Sequence, residues 1–226
     1  MDTLAGTCVT ETIAYFSMEV GIHPEFPTYS GGLGILAGDT LRSGADLHLP
    51  MVGVTLVHRE GYFRQTLDES GNQGEEPERW RPEDALEEVP TRATIQIEGR
   101  PVQIRAFRYV VAGETGGRVP VYFLDTDLPD NHPADRTLTN RLYSGDHHHR
   151  LRQEVVLGMG GIEILARLGV GESAYYHMNE GHSALLTLAL LDQRTHDRRR
   201  GAAKPEDYDW IRSRCVFTTH TPVPAG

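Results

Sequence analysis

The sequence predicts an α/β fold, in which strands and helices alternate along the chain and the helices pack on a sheet. Apolar runs of strand length alternate with stretches whose apolar residues recur at helical spacing. A glycine-rich loop joins the first of these strands to the first helix. The length of 226 residues suits one domain or slightly more, which buries roughly 70% of its unfolded surface.

The first predicted elements are a strand, a helix and two further strands. Residues 12–18 (TIAYFSM) predict a buried strand, and apolar residues at helical spacing predict a helix over 33–47. Residues 51–58 and 61–67 predict the next two strands. Residues 68–90 are polar, acidic and rich in Gly and Pro, and they predict a variable surface loop.

Residues 91–127 predict a β-rich excursion of two or three strands. Glycine-containing turns separate the stretches ATIQIEG, PVQIRAFRYVV and RVPVYFLDT. The alternation of Val102, Ile104 and Ala106 favours an antiparallel meander with one buried face.

The last third is predicted to be mainly helical. Apolar spacing predicts helices over residues 150–168, ended by a glycine, and over about 181–195. Short strands are expected at 173–178 and 215–220. The charged stretch 196–210 predicts a second variable surface loop. Because a strand and a proline-rich turn end the sequence, we expect it to be part of a longer chain.

The composition excludes several classes of protein. A formal charge of -10 disfavours nucleic-acid binding, and no apolar run approaches the ~20 residues of a membrane span. No signal-peptide pattern is found, so we expect a cytoplasmic location. Cys8 and Cys215 are too few for a disulfide or zinc framework. Among the 22 Lys and Arg residues only Lys204 is lysine, so Schiff-base chemistry has one candidate.

The glycine-rich loop at residues 29–34 (YSGGLG) is the first candidate site. Glycines let a backbone approach a ligand, and a helix N-terminus offers free N–H groups at its positive end. This combination suits a phosphate or a cluster of sugar hydroxyls. The spacing matches neither a Walker loop nor GxGxxG, and a tight turn with a glycine packing contact explains it equally well.

Two further candidates follow predicted strands. Residues 177–182 (HMNEGH) could hold a sugar or serve in acid–base chemistry, while the HxxxxH spacing disfavours a metal. Asn179 and Glu180 also suit a helix start. His220 lies at the end of a strand, where open α/β sheets bind ligands, although a structural histidine that caps a turn is the alternative.

Two charged motifs have simpler explanations. Residues 145–150 (GDHHHR) predict a solvated helix start with Asp146 as N-cap, because three consecutive histidines cannot face one ion on a helix. Asp125 and Asp127 suggest a glycosidase or metal site, but at this spacing after a strand they more often form a turn. We predict no metal site.

These segments together resemble the α-glucan (glycogen, starch and maltodextrin) phosphorylase family, most closely its shorter bacterial branch. Residues 68–90 and 196–210 match least. The matching stretches follow the family's order: IAYFSMEVGIHPEFPTYSGGLGILAGDTLRSGADLHLP, GVTLVHREGYFRQ, VYFLDTDLP, LYSGDHHHRLRQEVVLGMGGIEILARLG, HMNEGHSALLTL and VFTTHTPVPAG.

The resemblance implies a GT-B architecture of two Rossmann-like domains, with residues 1–226 forming most of the N-terminal one, incomplete at both ends. It implies phosphorolysis, in which orthophosphate attacks the terminal glucosyl unit of an α-1,4-glucan and releases α-D-glucose 1-phosphate. Pyridoxal phosphate assists through its own phosphate, bound in a C-terminal domain that this sequence lacks. Lys204 matches no family cofactor motif, so we expect no bound cofactor and no turnover by the chain alone.

The resemblance also implies roles for individual residues. Catalytic roles are implied for Glu19, in the family's SxE motif, and for His220, whose carbonyl and ring would contact the glucosyl residue and stabilise positive charge at its anomeric carbon. Substrate-binding roles are implied for residues of the glycine loop, of a mobile gate and of the N-x-x-H motif at the cleft wall: Gly31, Gly32, Leu33, Asp146, Asn179 and His182.

Two other functions remain open at this stage. The chain could be a non-catalytic glucan-binding remnant, or a GT-B domain like those of glycogen and starch synthases, which use nucleotide sugars. The stretches EGYFRQ and HMNEGH match phosphorylases rather than synthases. The expected partners are therefore an α-1,4-glucan, orthophosphate or glucose 1-phosphate, and the missing C-terminal domain.

Overall fold

The computed structural model describes residues 11–76, 78, 80–170, 174–199 and 201–220. Cys8 and the prolines after His220 lie outside these ranges. The strands are β1 Ile13–Ser17, β2 Met51–Leu56, β3 Arg64–Leu67, β4 Gln73–Glu76, β5 Glu87–Ile97, β6 Arg100–Ala112, β7 Arg118–Asp125, β8 Tyr175–Asn179 and β9 Cys215–Thr218. The helices are α1 Gly32–Asp46, α2 Pro82–Ala85, α3 Pro133–Arg136, α4 His147–Val155, α5 Gly161–Arg167, α6 Leu186–Asp197 and α7 Pro205–Arg214.

Seven strands form one mixed sheet in the order β5-β6-β7-β2-β1-β8-β9. The five strands from β7 to β9 are parallel, and β5 and β6 extend them as an antiparallel meander. The α/β prediction and the antiparallel meander are therefore confirmed. The last strand of the predicted β-rich excursion, β7, pairs in parallel with β2 and so belongs to the parallel part of the sheet.

Helices cover both faces of the sheet. On one face, Leu41 of α1 packs in a cluster with Phe107 and Phe123. On the other face, Phe16 and Ile104 belong to a larger cluster that includes side chains of α5 and α6. Each fully buried side chain of this size contributes about 1.5–3 kcal/mol to folding, so the two clusters together fix the three-layer arrangement.

The long helix predicted over 150–168 is interrupted by a π-helical turn at Val156–Gly160. Glycines at this turn let the helix approach the sheet closely. A Cβ atom on Gly161 would lie 2.6 Å from Cε1 of Phe16, and one on Gly160 would lie 2.3 Å from Cδ1 of Ile104. The helix ends at Gly169, whose φ of 76° suits glycine, as the sequence predicts.

The two stretches predicted as surface loops contain regular structure. Residues 68–90 include β4, which pairs only with β3 in a small separate sheet, then α2 and the start of β5. Residues 196–210 include the start of α7, a helix that the charged sequence pattern did not predict. None of the described helices is long and apolar enough to cross a membrane.

Candidate active site

The carboxyl ends of parallel strands bring several of the predicted residues to one edge of the sheet. Glu19 follows β1, Asn179 ends β8, and His220 follows β9. The strand register pairs Ser17 with Asn179, and Asn179 with Thr218. Because adjacent parallel strands end at the same edge, residues 160 or more positions apart become neighbours there.

The glycine loop closes on the carboxylate of Glu19, which is buried. Its Oε2 accepts hydrogen bonds from the backbone N–H groups of Ser30 (2.8 Å) and Gly31 (3.3 Å). A Cβ atom on Gly34 would lie 2.9 Å from this oxygen and 2.3 Å from Cβ of Tyr29. The approach of the loop to Glu19 therefore requires a glycine at position 34.

Three predicted binding residues of the loop, Gly31, Gly32 and Leu33, leave the start of α1 open. Gly31 is the N-cap of α1 and provides no side-chain cap, and a Cβ atom on Gly31 or Gly32 would meet open space. Leu33 lies in the first turn of the helix. The first N–H groups of α1 are therefore accessible at the positive end of the helix dipole, an arrangement that suits an anion or a sugar oxygen.

Tyr143 holds the second oxygen of Glu19, and the sequence analysis did not identify it. Its hydroxyl donates to Oε1 of Glu19 at 2.6 Å. Burial raises the pKa of Tyr143, and the neighbouring charge of Glu19 raises it further, so the phenol stays protonated and acts as the donor. The backbone of Tyr143 has a φ of 53°, a left-handed conformation that no local sequence signal predicts.

Asn179 and Glu180 form hydrogen bonds to His220 from the buried side of the site. The ring Nε2 of His220 lies 2.9 Å from Oδ1 of Asn179, and its backbone N–H donates to the carboxylate of Glu180. The hydroxyl of Thr219 donates to the same carboxylate at 3.1 Å. Asn179 and Glu180 are both buried, whereas His220 is exposed. The structure therefore presents the histidine ring on a buried polar support.

Glu180 belongs to the predicted HMNEGH motif, but the sequence does not reveal the contacts of its carboxylate. It is the N-cap of the helical turn that follows, as the sequence suggested, and its φ of 65° turns the chain sharply after β8. The next three residues form a 3₁₀ turn, Gly181–Ser183, before α6 begins. This turn directs the Glu180 carboxylate towards the backbone that follows β9.

His182 lies beside Tyr143, with ring centroids 5.8 Å apart. Burial lowers the pKa of His182, and the charge of Arg150 lowers it further, so the ring is neutral at physiological pH. Its Nδ1 has no hydrogen-bond partner among the described residues. His182 thus lies at the same edge as Glu19, as the N-x-x-H prediction requires, but its role stays a prediction.

Asp146 caps α4, as the sequence predicts. Its Oδ1 accepts a hydrogen bond from the backbone N–H of His149 at 2.8 Å, and the side chain is exposed. This bond lowers the pKa of Asp146. The contact explains the residue locally, and a substrate-binding role for Asp146 stays a prediction.

Asp125, which ends β7, and Asp127, which follows it, are held in ion pairs. The turn prediction is confirmed, because the N–H of Asp127 donates to Oδ1 of Asp125 at 3.0 Å. Asp125 is fully buried and pairs with Arg59 (2.6 Å) and Arg105 (2.8 Å). No group of three or more His, Cys, Asp or Glu side chains among the described residues is placed to hold a metal ion.

A cavity of about 730 Å³ lies elsewhere, between β8 and the helices α5, α6 and α7. The described residues that line it include Tyr176, Arg194 and Trp210, and none of the predicted site residues. The guanidinium of Arg194 lies 4.6 Å from the ring centroid of Trp210 and donates to Asp207. Arg198, which also lines the cavity, lies 3.9 Å from the same carboxylate, so both arginines are already paired within the protein.

Comparison with known proteins finds relatives along nearly the whole chain, although no family model matches it. The maltodextrin phosphorylase of Thermococcus litoralis is 39% identical over 96% of this chain, and the glycogen phosphorylase of Mycobacterium tuberculosis is 38% identical over 99%. The glycogen phosphorylase of Aquifex aeolicus is 32% identical over 93%. The chain spans 26%, 26% and 30% of the lengths of these relatives, respectively.

Proposed function

Over the length that it shares with these relatives, the chain belongs to the α-glucan phosphorylase family, and from this premise we propose that it forms the N-terminal part of an α-1,4-glucan phosphorylase. The reaction transfers the terminal glucosyl unit of the glucan to orthophosphate. The C–O bond to the shortened glucan breaks, a C–O bond to phosphate forms, and the proton of the orthophosphate passes to the glucan oxygen, so that α-D-glucose 1-phosphate and a glucan with a free hydroxyl leave. We place this reaction in the cytoplasm and the sheet in the N-terminal domain of a GT-B architecture.

One observation carries the proposal: a single hydrogen-bonded network joins the glycine loop to the ends of β1, β8 and β9. The side chain of Glu19 holds the loop, and its backbone carbonyl accepts from Ser17, which also contacts Asn179. Asn179 in turn holds His220. The open N-terminus of α1 and the exposed histidine are thereby fixed relative to each other, as one half of a binding cleft requires.

We assign the roles as follows. The first N–H groups of α1, at Gly32 and Leu33, bind phosphate or sugar oxygens next to the Gly31 backbone, which Glu19 holds, since the positive end of α1 favours negative charge. His220 contacts the glucosyl unit, and its carbonyl oxygen faces the positive charge that develops at the anomeric carbon. Glu19 acts at the edge of the cleft.

The remaining assignments concern the cleft wall. Asn179 supports His220 from the buried side, and His182 lines the wall next to Tyr143. Asp146, which we assign to the family's mobile gate, is the N-cap of α4. Each of these residues already has a contact within the protein. Its side chain is therefore held in position before the substrate binds.

The residues of this chain do not fit pyridoxal phosphate. Lys204 is exposed at the start of α7, and its backbone N–H donates to the carboxylate of Asp207 at 2.9 Å. A lysine that forms a Schiff base is usually desolvated or placed beside another cation, and Lys204 is not desolvated. We therefore assign no step to the cofactor in this chain, and we expect the 226 residues alone to show no turnover.

The test is a chimera in which this chain replaces the matching segment of the maltodextrin phosphorylase relative. We expect the chimera to release glucose 1-phosphate from maltodextrin and orthophosphate. His220→Asn in the chimera should lower kcat by roughly 100-fold, because it removes the ring that contacts the glucosyl unit, although the backbone carbonyl remains. The matched control is His48→Asn, at an exposed histidine with a φ of 52° that asparagine tolerates.

Two results would count against the proposal. The first is a chimera that folds and binds cofactor like its parent but releases no glucose 1-phosphate. The second is equal activity of the His220 and His48 variants. The inactivity of the isolated chain is tested separately, since any release of glucose 1-phosphate by the purified chain contradicts it.

A further inference from the structure

Ser17, Asn179 and His220 form a chain of hydrogen bonds. Ser17 determines which group is the donor and which is the acceptor in each bond of this chain. The Oγ of Ser17, fully buried at the end of β1, lies 2.7 Å from the backbone carbonyl oxygen of Glu19. A carbonyl oxygen can only accept, so the single hydroxyl hydrogen of Ser17 is donated to it. Towards every other neighbour, the Ser17 oxygen can therefore act only as an acceptor.

This requirement orients the side-chain amide of Asn179. One end of the amide lies 3.1 Å from Oγ of Ser17, and the other lies 2.9 Å from Nε2 of His220. Since Ser17 can only accept, the end that faces it is the NH₂ group, and Oδ1 faces His220. The orientation follows from the chemistry of the partners and does not depend on distinguishing nitrogen from oxygen in the amide.

The amide orientation then fixes the histidine. Oδ1 of Asn179 can only accept, so Nε2 of His220 carries the proton, and in the neutral ring Nδ1 is an unprotonated acceptor. None of the described residues donates a hydrogen bond to Nδ1, and the ring is exposed. The backbone of His220 is held separately by Glu180, so the amide of Asn179 acts on the ring alone.

We propose that Ser17 is a positioning residue that sets the tautomer of His220 through the amide of Asn179. Ser17 lies beneath the site and contacts neither the ring nor the open face of the cleft. If His220 contacts the glucosyl unit, which rests on the function proposed above, its ring presents an acceptor rather than a donor to the sugar. The tautomer itself can be measured without any activity.

The experiment is nitrogen-15 NMR of the full chain at about pH 8.5, where an ordinary histidine is neutral. Two-bond couplings between ring nitrogens and carbon-bound protons identify the protonated nitrogen, and His220→Asn identifies the signals of His220 among the 11 histidines. In the unaltered chain we expect the Nε2–H pattern. In Ser17→Ala the amide is free to turn over, so the Nδ1–H form should appear.

The matched control is Ser183→Ala, which removes another buried hydroxyl, one that donates to the carbonyl of Glu180. It should leave the His220 pattern unchanged. The double variant Ser17→Ala/Asn179→Asp should restore the Nε2–H pattern, because both oxygens of a carboxylate accept and no orientation is needed. Restoration by the second substitution separates orientation of the amide from a general loosening of the site.

Three results would overturn the proposal: an Nδ1–H pattern in the unaltered chain, an unchanged pattern in Ser17→Ala, or an equal change in Ser183→Ala. Should Ser17→Ala fail to fold, Ser17→Cys takes its place, because a thiol of similar size is only a weak donor and acceptor; the Nδ1–H form is again expected, and an unchanged pattern overturns the proposal. None of these outcomes depends on phosphorolysis, so failure of the proposed function leaves this test intact.

Discussion

Two buried carboxylates at the carboxyl edge of the same sheet are stabilised in different ways. Asp125, at the end of β7, is paired with the guanidinium groups of Arg59 and Arg105. Glu19, after β1, is held by two backbone N–H groups of the glycine loop and by the hydroxyl of Tyr143. Both side chains are almost completely inaccessible to solvent.

The role of each carboxylate depends on its hydrogen-bond partners. The arginines neutralise Asp125 and connect side chains to one another, so this corner of the sheet is closed and structural. Glu19 accepts from the main chain of the loop, so the position of the loop backbone itself depends on this carboxylate. Asp125, with its cationic partners, thus connects parts of the fold. Glu19, with backbone donors, holds the glycine loop in position.

The largest effect is expected at the closed corner. Burial opposes ionisation of Asp125, but the hydrogen bonds and charges of its arginines outweigh burial, and its pKa lies below the usual value. Asp125→Asn removes the buried carboxylate between two largely buried guanidinium groups, which keep only the more exposed carboxylates of Glu83 and Glu88, and should lower the free energy of unfolding by about 3 kcal/mol. Urea unfolding measures this change. Asp127→Asn, at a partly exposed pair with Arg136, should cost less than about 1 kcal/mol.

The close approach of the glycine loop provides the next test. A methyl group on Gly34 would overlap Tyr29 and press on Oε2 of Glu19, so Gly34→Ala should cost near the upper end of about 1–3 kcal/mol. Gly31→Ala adds the same methyl group in open space, with an extended backbone that alanine adopts. Thermal unfolding of the two variants compares them, and equal stability would contradict the described packing.

We expect the free energy of unfolding to depend on pH through His58, which follows β2. In the sheet, β2 lies between β7, which carries Asp125, and β1, which precedes Glu19. Burial lowers the pKa of His58 to about 4, although its hydrogen bond to the Met18 carbonyl opposes the shift. Between pH 6.5 and 4 the unfolded chain binds more protons, so stability falls as the pH falls through this window. His58 should contribute about 2 kcal/mol to the loss between pH 7.5 and 5.

The control for this pH dependence is His58→Gln, whose amide can still donate to the Met18 carbonyl but does not titrate. Urea unfolding of both proteins at pH 7.5 and pH 5 isolates the histidine contribution from that of the carboxylates. Parallel stability changes in the two proteins would show that His58 is not held neutral.

The smallest expected effect concerns the hydroxyl that holds Glu19. Tyr143→Phe removes one of three donors to the carboxylate and should cost about 1.5 kcal/mol. Hydrogen exchange at the amides of Ser30 and Gly31 should also accelerate, because the loop loses part of its anchor. Tyr62→Phe, at an exposed tyrosine, should change neither quantity.

Local patterns in the sequence predicted much of the fold. The β-rich stretch that became β1 and the spaced apolar residues of α1 were recognised because their signals lie within a few residues. The start of α7 was missed, because its charged residues and Pro205 also suit a loop. The place of β7 in the main sheet depends on its pairing with β2, which no local pattern contains.

The candidate site was predicted as a set of residues but not as a network. Glu19, Asn179 and His220 were identified from their motifs, and the strand order places all three at one edge. Tyr143 was not identified, and Glu180 was noted within the HMNEGH motif without an individual role. Each has a left-handed backbone and partners that are distant in the sequence, such as the 124 positions that separate Tyr143 from Glu19.

The sequence by itself determined the alternation of strands and helices, the position of the glycine loop and the family to which the chain belongs. These properties depend on residue types and spacings that lie close together along the chain. Only the tertiary structure decided which donors face each buried carboxylate and which nitrogen of His220 carries its proton. Such choices depend on hydrogen bonds between strands that are up to 162 residues apart, and these form only when the sheet assembles.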